Sequence, residues 1–174
     1  MSVTTSKEGI PVKNAGLVIV NNYVPMLFER LGLMQNRAFV NASAQEQAVQ
    51  FLQYVATGLT NTEARFLQLN KVLCGLPLAH PVPEEIEISD EQEKLINGLI
   101  TSMLSYWPDA GTKYLDGFRG NWLVRDGLLI ESADSWELKV ERRAYDVLLN
   151  KSPFSFSNIK YPWMDKPLHV VWKF

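Results

Sequence analysis

The chain has 174 residues, of which 47% are apolar and 21% are charged, and its formal net charge is −2. These values lie close to the average of globular proteins and exclude an intrinsically disordered chain. The weakly negative charge argues against a protein that binds nucleic acid through a strongly basic surface. Cys74 is the single cysteine, which excludes an intrachain disulfide.

The most apolar stretch, residues 15–28, contains Asn21 and Asn22 and falls well short of the ~20 apolar residues that span a bilayer. No basic region followed by an apolar region marks a secretory signal. We therefore expect a soluble, intracellular, globular protein. A chain of this length can bury a core without a metal ion.

The first two-thirds of the chain predict helices with clear end signals. Residues 17–22 and 26–31 predict two helical turns, kinked or broken at Pro25. Three capping boxes then precede apolar stripes with helical spacing, and each stripe ends at a glycine or a proline. The boxes lie at residues 43–46, 60–63 and 89–92, and the stops are Gly58, Gly75 and Pro108.

A shorter helix is predicted over residues 112–121, after which the apolar period changes to that of strands. Residues 122–124 and 128–130 flank Asp126 and Gly127, a pair that accepts the positive φ of a tight turn. This arrangement predicts a β-hairpin.

Two further strands are predicted from alternating patterns at residues 136–141 and 168–174, with a short helix at residues 144–150 between them. The predicted class is therefore α+β, with a helical N-terminal two-thirds and a small antiparallel sheet in the C-terminal third. The helical part covers about residues 14–121, and the β-rich, aromatic part about residues 122–174. No linker separates them, so we expect a single compact domain over residues 1–174.

Neither histidine has the sequence neighbours of a catalytic motif. His80 lies in a proline-flanked loop, His169 lies on the solvent side of the last predicted strand, and neither adjoins a nucleophile pattern. Cys74 ends an apolar helix, where cysteine behaves as a small apolar side chain. We interpret all three as structural residues and predict no catalytic residue.

An acidic stretch places six carboxylates within ten residues: Glu84, Glu85, Glu87, Asp90, Glu91 and Glu93. Their convergence, with His80 as a nitrogen ligand, would make a metal site. Acids before and within a first helical turn are also favoured by the helix dipole, and the remainder would form a solvated face. We favour this second interpretation, and since nucleotide-binding and zinc-binding motifs are absent, we predict neither metal nor cofactor.

The basic residues of the C-terminal part lie near aromatic residues, an arrangement that could indicate nucleic-acid binding. They are Lys139, Arg142, Arg143, Lys151 and Lys160. Acidic residues lie close to them in sequence, at Glu137, Glu141 and Asp146. We therefore predict a mixed surface and no nucleic acid.

Residues 152–174 combine many aromatic side chains with three prolines. We expect most of these aromatic side chains to form core, and a part of them to face a partner, because rigidly held aromatics are typical of interface hot spots. The candidate partner-facing residues are Phe154, Phe156, Tyr161, Trp163 and Met164, together with Glu84, Glu85 and Glu87 of the acidic stretch.

Short segments along the chain, including VKNAGLV at residues 12–18, LNKVLCGLPL at 69–78 and PFSFSNIK at 153–160, occur together in one known family. Further segments in the same order lie at residues 25–33, 46–49, 52–58, 145–149, 162–164 and 168–172. The ordered set spans roughly residues 10–172 and resembles the contractile injection system tape measure proteins of phage-tail-like particles in bacteria.

The resemblance implies a structural protein without catalytic residues. It implies a protein that lies in the tube lumen during assembly and sets tube and sheath length, with one end fixed at the spike or baseplate. Even an all-helical chain of this length would span only ~260 Å, and the predicted short helices and strands give a compact body with a radius of gyration of ~16 Å. We therefore expect this chain to anchor or nucleate tube assembly, as the terminal domain of a longer tape measure or as a separate relative.

The partners implied by the resemblance are spike or hub, baseplate or tube proteins, with self-association left open and no membrane contact. The chain is expected in the cytoplasm during assembly, with incorporation into the particle left open. The alternative is a cytosolic assembly chaperone or cargo-loading adaptor of the same system. A small hydrolase would need a deep pocket that holds a histidine beside a carboxylate.

Overall fold

The computed structural model describes residues 9–174. The α-helices are α1 (Val24–Arg30), α2 (Ala42–Thr57), α3 (Gln68–Leu73), α4 (Asp90–Tyr106) and α5 (Leu115–Phe118). The 3₁₀ segments are Ala15–Tyr23, Ala64–Phe66, Pro108–Ala110 and Ala144–Lys151, and a π-helical turn covers Arg119–Leu123. The strands are β1 (Ile10–Val12), β2 (Met34–Gln35), β3 (Ala38–Phe39), β4 (Gly127–Glu131), β5 (Trp136–Val140), β6 (Asn158–Ile159) and β7 (Leu168–Val171). The predicted α+β class is confirmed.

Five of the strands form one sheet in the order β1-β4-β5-β7-β6. All its neighbours pair antiparallel except β5 and β7, which run parallel. The expectation of an antiparallel sheet confined to the C-terminal third is therefore wrong in two details, since the sheet is mixed and includes β1. Alternation in a sequence shows the two faces of a strand but not its neighbour, and residues 141–167 supply the long crossover that a parallel pair needs. β2 and β3 form a separate two-stranded sheet within the helical part.

The hairpin predicted around Asp126 and Gly127 is wrong. Trp122 lies in the π-helical turn rather than in a strand, and Gly127 is the first residue of β4. A Cβ on Gly127 would lie 2.7 Å from the Cβ of Ala15 and 2.8 Å from the carbonyl oxygen of Lys139. Gly127 therefore allows Ala15 and β5 to pack closely against the start of β4, and it does not form a tight turn.

Of the two capping boxes that precede the longest helices, the one at Ser89 is confirmed and the one at residues 43–46 is wrong. The amide of Gln92 donates to Ser89 Oγ at 3.1 Å, and the amide of Ser89 donates to Gln92 Oε1 at 2.9 Å. At α2, the side chain of Asn41 caps the helix instead, accepting from the amide of Ala44 at 2.8 Å. Asparagine caps a helix as well as serine does, so α2 begins earlier than predicted.

The third predicted box, at residues 60–63, does not form. This segment is extended and contacts residues 84–86 in a strand-like manner, with the amide of Thr62 donating to the carbonyl of Glu84 at 2.8 Å. The 3₁₀ segment Ala64–Phe66 then precedes α3 in place of one continuous helix. The pairing holds the start of the acidic stretch against the helical part.

Proline and glycine lie at the helix boundaries as predicted, and of the two alternatives at Pro25, a kink or a break, the break is absent. Pro25 does not break the helical path: it lies in the first turn of α1, where its missing N–H costs no hydrogen bond, and α1 directly follows the segment Ala15–Tyr23. Gly58 and Gly75 adopt a φ of 75° after α2 and α3, which confirms the predicted stops. α4 ends just before Pro108.

The two faces of the five-stranded sheet differ in burial. Leu129 and Leu138 on one face are fully buried, whereas Leu128, Lys139 and Val171 on the other face are exposed. The core therefore lies between the helices and a single face of the sheet, and it draws residues from both the helical and the β-rich parts.

Gly16 lets the first 3₁₀ segment contact the backbone of the π-helical turn. A Cβ at this position would overlap the carbonyl oxygen of Trp122 and lie 2.8 Å from the Cα of Leu123. Backbone atoms cannot move aside as the end of a flexible side chain can. We expect Gly16→Ala to lower the free energy of unfolding by about 1–3 kcal/mol or more, measured by urea denaturation.

Gly98→Ala is the matched control for this prediction. Gly98 is exposed in α4, and no atom lies within 4 Å of an added Cβ. This variant should gain about 0.5–1 kcal/mol from the higher helix propensity of alanine. Equal unfolding free energies for the two variants would contradict the close backbone approach at Gly16.

Candidate partner-binding surfaces

The C-terminal aromatic segment, residues 152–174, places most of its candidate side chains in the core. Phe154, Tyr161 and Met164 are buried, with only 8%, 7% and 4% of their surface exposed. Phe156 and Trp163 are half-buried. Of these five candidates, the latter two therefore present appreciable surface to a partner in this conformation.

Two long-range hydrogen bonds hold this segment on the helical part. The hydroxyl of Tyr161 donates to the carbonyl of Asn21 at 2.7 Å, and Nε1 of Trp163 donates to the carbonyl of Leu73 at 2.8 Å. The two rings also stack, with centroids 4.8 Å apart. Burial raises the pKa of Tyr161, so its hydroxyl remains a neutral donor. Trp163 is thus a rigidly positioned aromatic side chain.

A buried ion pair joins the end of the segment to the rest of the fold. Arg125 Nη1 lies 2.7 Å from Asp146 Oδ2, and both side chains are fully buried. The same oxygen accepts from the amide of Arg143 at 2.9 Å and from Nε1 of Trp172 at 2.9 Å. Burial acts to raise the pKa of Asp146, but the three hydrogen bonds and the Arg125 charge outweigh it and hold this pKa below its ordinary value.

The guanidinium of Arg125 also lies among three aromatic rings. Its central carbon is 5.1 Å from the ring centroid of Trp172, 5.6 Å from that of Tyr145 and 5.7 Å from that of Trp122. Such contacts add stabilisation when the cation is desolvated. The sequence does not predict this cluster, because Arg125 and Asp146 are 21 positions apart and no local pattern links them.

Two of the five basic residues named for the C-terminal part, Lys139 and Arg143, have acidic partners in the structure. Lys139 Nζ lies 3.8 Å from Glu137 Oε1, and Arg143 Nε lies 3.7 Å from Glu141 Oε1. The third acid that the sequence analysis placed on this surface, Asp146, is in the core, which corrects that prediction.

The three glutamates proposed as partner-facing, Glu84, Glu85 and Glu87, are exposed. Glu84 has an internal role as well, because its Oε2 accepts from the amide of Ala64 at 2.6 Å. Within residues 9–174, no group of three or more histidine, cysteine, aspartate or glutamate side chains is arranged to hold a metal ion. Glu85 and Glu87 therefore present a solvated acidic surface.

The remaining chemical candidates occupy structural positions. His80 Nε2 lies 2.7 Å from Glu46 Oε2, and both side chains are about one-third exposed, which places the pair at the surface rather than in a deep pocket. His169 is exposed on β7. Cys74 is fully buried, and burial raises the pKa of its thiol, so the interpretation as a core residue is confirmed.

A groove with a volume of about 440 Å³ lies between α1 and α4, and we call it the α1/α4 groove. It is lined by Tyr23, Met26, Leu27, Arg30, Lys94, Leu95, Gly98, Leu99, Ser102 and Tyr106. Met26 is 39% exposed and Tyr106 is 66% exposed. The sequence does not predict this groove, because helical periodicity shows which residues of α4 share a face but not how much of that face the neighbouring elements cover.

A second concavity, also of about 440 Å³, borders a cluster of buried amides. Nδ2 of Asn14 donates to Gln53 Oε1 at 2.8 Å and to Asn70 Oδ1 at 2.7 Å. These bonds join the segment after β1 to α2 and α3. The cluster therefore has a structural role in holding the sheet edge to the helices.

Within the part of the chain that the structure describes, no helix is both long and apolar enough to cross a membrane.

These features define an α+β protein that presents grooves and a mixed charged surface to its surroundings. The family model of contractile injection system tape measure proteins matches residues 2–172, and the chain belongs to this family. The resemblance found in the sequence is thereby confirmed, and the family indicates a structural role in a contractile injection system. No curated protein and no solved structure matches the chain.

Asp146→Asn should destabilise the protein because it keeps the shape of the side chain but removes the charge opposite Arg125. Leaving a buried charge without its partner costs about 3–5 kcal/mol. We expect a loss of this size in the free energy of unfolding at neutral pH, measured by urea denaturation. Asp134→Asn, at an exposed position, is the control and should change stability by less than about 0.5 kcal/mol.

The stability difference between wild type and Asp146→Asn should depend on pH. Because the folded-state pKa is depressed, the stabilisation by ionised Asp146 is fully present above the ordinary carboxyl pKa of ~3.9 and is lost as the pH falls through the folded value. The difference should therefore shrink below about pH 4. A difference that stays constant into strong acid would show that the charge of Asp146 contributes nothing.

Proposed function

We propose that this chain is a non-enzymatic part of the tape measure system that anchors or nucleates tube assembly at the spike or baseplate. Membership of the tape measure family supports a structural role. A structural protein of this kind can extend along the tube, or it can provide a binding surface at one end of the tube. The fold favours the second contribution.

The observation that carries this proposal is the short reach of the described elements. The longest helix among residues 9–174 is α4, whose 17 residues extend only about 25 Å. The helices and the sheet share one buried core instead of forming an extended rod. Only an element that extends along the tube can determine the length of the tube. A body with such short elements is therefore better suited to bind at one end of the tube.

The surfaces proposed to contact spike, hub, baseplate or tube proteins are the exposed part of the aromatic segment and the acidic stretch. Trp163 is half-buried and held by its hydrogen bond to Leu73. Because its side chain is already fixed, it would lose little conformational entropy when a partner covers it. Glu85 and Glu87 are exposed and would match a basic rim on the partner.

The second candidate function is a cytosolic assembly chaperone or cargo-loading adaptor. The α1/α4 groove favours it, because Met26 and Tyr106 leave apolar surface open to a transient client. Such a protein would leave before the particle matures.

Binding of the folded chain to purified spike, hub, baseplate and tube proteins tests the proposed role. We expect at least one of them to be retained, and expect Glu85→Lys/Glu87→Lys to weaken that binding about tenfold, or 1.4 kcal/mol. Asp109→Lys/Asp134→Lys, which reverses two exposed charges elsewhere, should leave the affinity unchanged. A folded chain that retains none of these proteins would contradict the proposal.

Mass spectrometry of purified particles separates the two candidate functions. An anchoring or nucleating part should be present in mature particles at a fixed ratio to the spike. Absence from mature particles, together with binding to an assembly component, would favour the chaperone or adaptor instead.

A further inference from the structure

The α1/α4 groove follows the length of α4 for about three helical turns. Lys94, Gly98, Ser102 and Tyr106 recur at every fourth position and therefore share one side of the helix. From the first to the last of them α4 rises about 18 Å. The length of this surface matches a helix of similar length lying along it, rather than a compact small molecule.

Gly98 opens the middle of the groove. It is exposed, and a Cβ built on it would meet no atom within 4 Å. Glycine in a helix interior costs about 1 kcal/mol relative to alanine, and packing inside this chain does not require it here. The missing side chain lets another helix approach α4 closely, since packed helices insert the ridges of one into the grooves of the other.

The groove has a positive charge, although the whole chain is weakly negative. Arg30 and Lys94 line it, and no carboxylate does. Both are exposed, and within residues 9–174 neither side chain has an ion-pair or hydrogen-bond partner. An occupant with acidic residues beside an apolar stripe would supply the missing partners.

The walls of the groove are two helices, and this favours a helical occupant over an extended one. Helix backbones bond within themselves, so α1 and α4 offer no free ladder to an extended peptide, whose buried N–H and C=O groups would lack partners. A helical occupant bonds its own backbone and presents anchors at i, i+3, i+4 and i+7. A cavity of about 150 Å³ accepts benzene, so a volume of about 440 Å³ has room for more than one such anchor.

We propose that the α1/α4 groove binds an amphipathic α-helix of a partner protein. The apolar stripe of that helix lies on Met26, half-buried Leu95 and Tyr106, and aspartate or glutamate residues beside the stripe pair with Arg30 and Lys94. This inference rests on the proposed function, which requires a protein partner, and deepens it by defining the chemistry of that partner.

Fluorescence anisotropy with two designed peptides tests the groove on the full 174-residue chain. The first peptide is a labelled, stapled helix of about 18 residues with leucines at i, i+3, i+4 and i+7 and glutamates beside them. The second carries lysine at each glutamate position. We expect the glutamate peptide to bind at least about tenfold more tightly, with the preference shrinking at about 0.5 M salt.

Gly98→Phe should block the groove without harming the fold, because Gly98 is exposed and an added Cβ would meet no atom within 4 Å. We expect this variant to unfold at the same or a higher urea concentration and to bind the glutamate peptide about tenfold or more weakly. Gly120→Phe, at another exposed glycine with no atom near an added Cβ, is the control and should bind as wild type does.

Arg30→Gln/Lys94→Gln should abolish the preference for glutamate over lysine, whereas Arg142→Gln/Lys151→Gln should retain it. Equal affinity for the two peptides, no binding at about 1 mM, or unchanged binding by Gly98→Phe would overturn the proposal. Self-association that Gly98→Phe abolishes would identify a second copy as the occupant and would also overturn it. The assay contains no particle protein, so failure here is distinct from failure of the chain to bind spike, hub, baseplate or tube.

Discussion

The arrangement of the C-terminal third depends on one buried carboxylate. A single oxygen of Asp146 receives hydrogen bonds from the Arg125 guanidinium, the Arg143 amide and the Trp172 indole, three groups from separate stretches of the chain. Desolvation of the two charges is costly and is offset only when these donors are in place together. Three parts of the chain must therefore adopt their positions jointly. They are the link between the π-helical turn and β4, which carries Arg125, the 3₁₀ segment that begins after Arg143 and carries Asp146, and Trp172 directly after β7. The aromatic segment is fixed by this requirement, and only its outer side chains remain available for binding.

The fold was predictable where neighbouring residues determine the outcome. Ser89 and Gln92 satisfy each other across one turn, so their spacing alone predicts the start of α4. The fold was not predictable where residues compete for one position or where segments far apart in the sequence pair. Asn41 competed successfully with Ser43 as the cap of α2, and residues 60–62 are extended because residues 84–86 pair with them. The alternation in β5 predicts its faces correctly, yet it contains no information on the parallel partner, whose paired residues lie 32 positions further along the chain.

The candidate surfaces show the same division. The density of aromatic side chains in residues 152–174 marks an important segment, but burial separates Tyr161 from half-buried Trp163 only after the helices pack. The α1/α4 groove depends on what α1 leaves uncovered, which periodicity in α4 cannot show. The structural role in an injection system was predictable because ordered segments across nearly the whole chain match one family, although no single residue has a chemistry that indicates it.

The order of the sheet has a mechanical consequence. β1 is antiparallel to β4, β4 is antiparallel to β5, and β5 is parallel to β7, so β1 and β7 point in the same direction. Their registers also align, since Ile10 and Val170 belong to one row across the four strands. The start of β1 and the end of β7 therefore lie side by side across the sheet, and tension between them acts across the strands and not along them. Under such a load the hydrogen bonds between strands are stretched along their own length and can break one after another from the loaded end, so the described body opens under this tension by peeling of its edge strand and not by sliding of its strands.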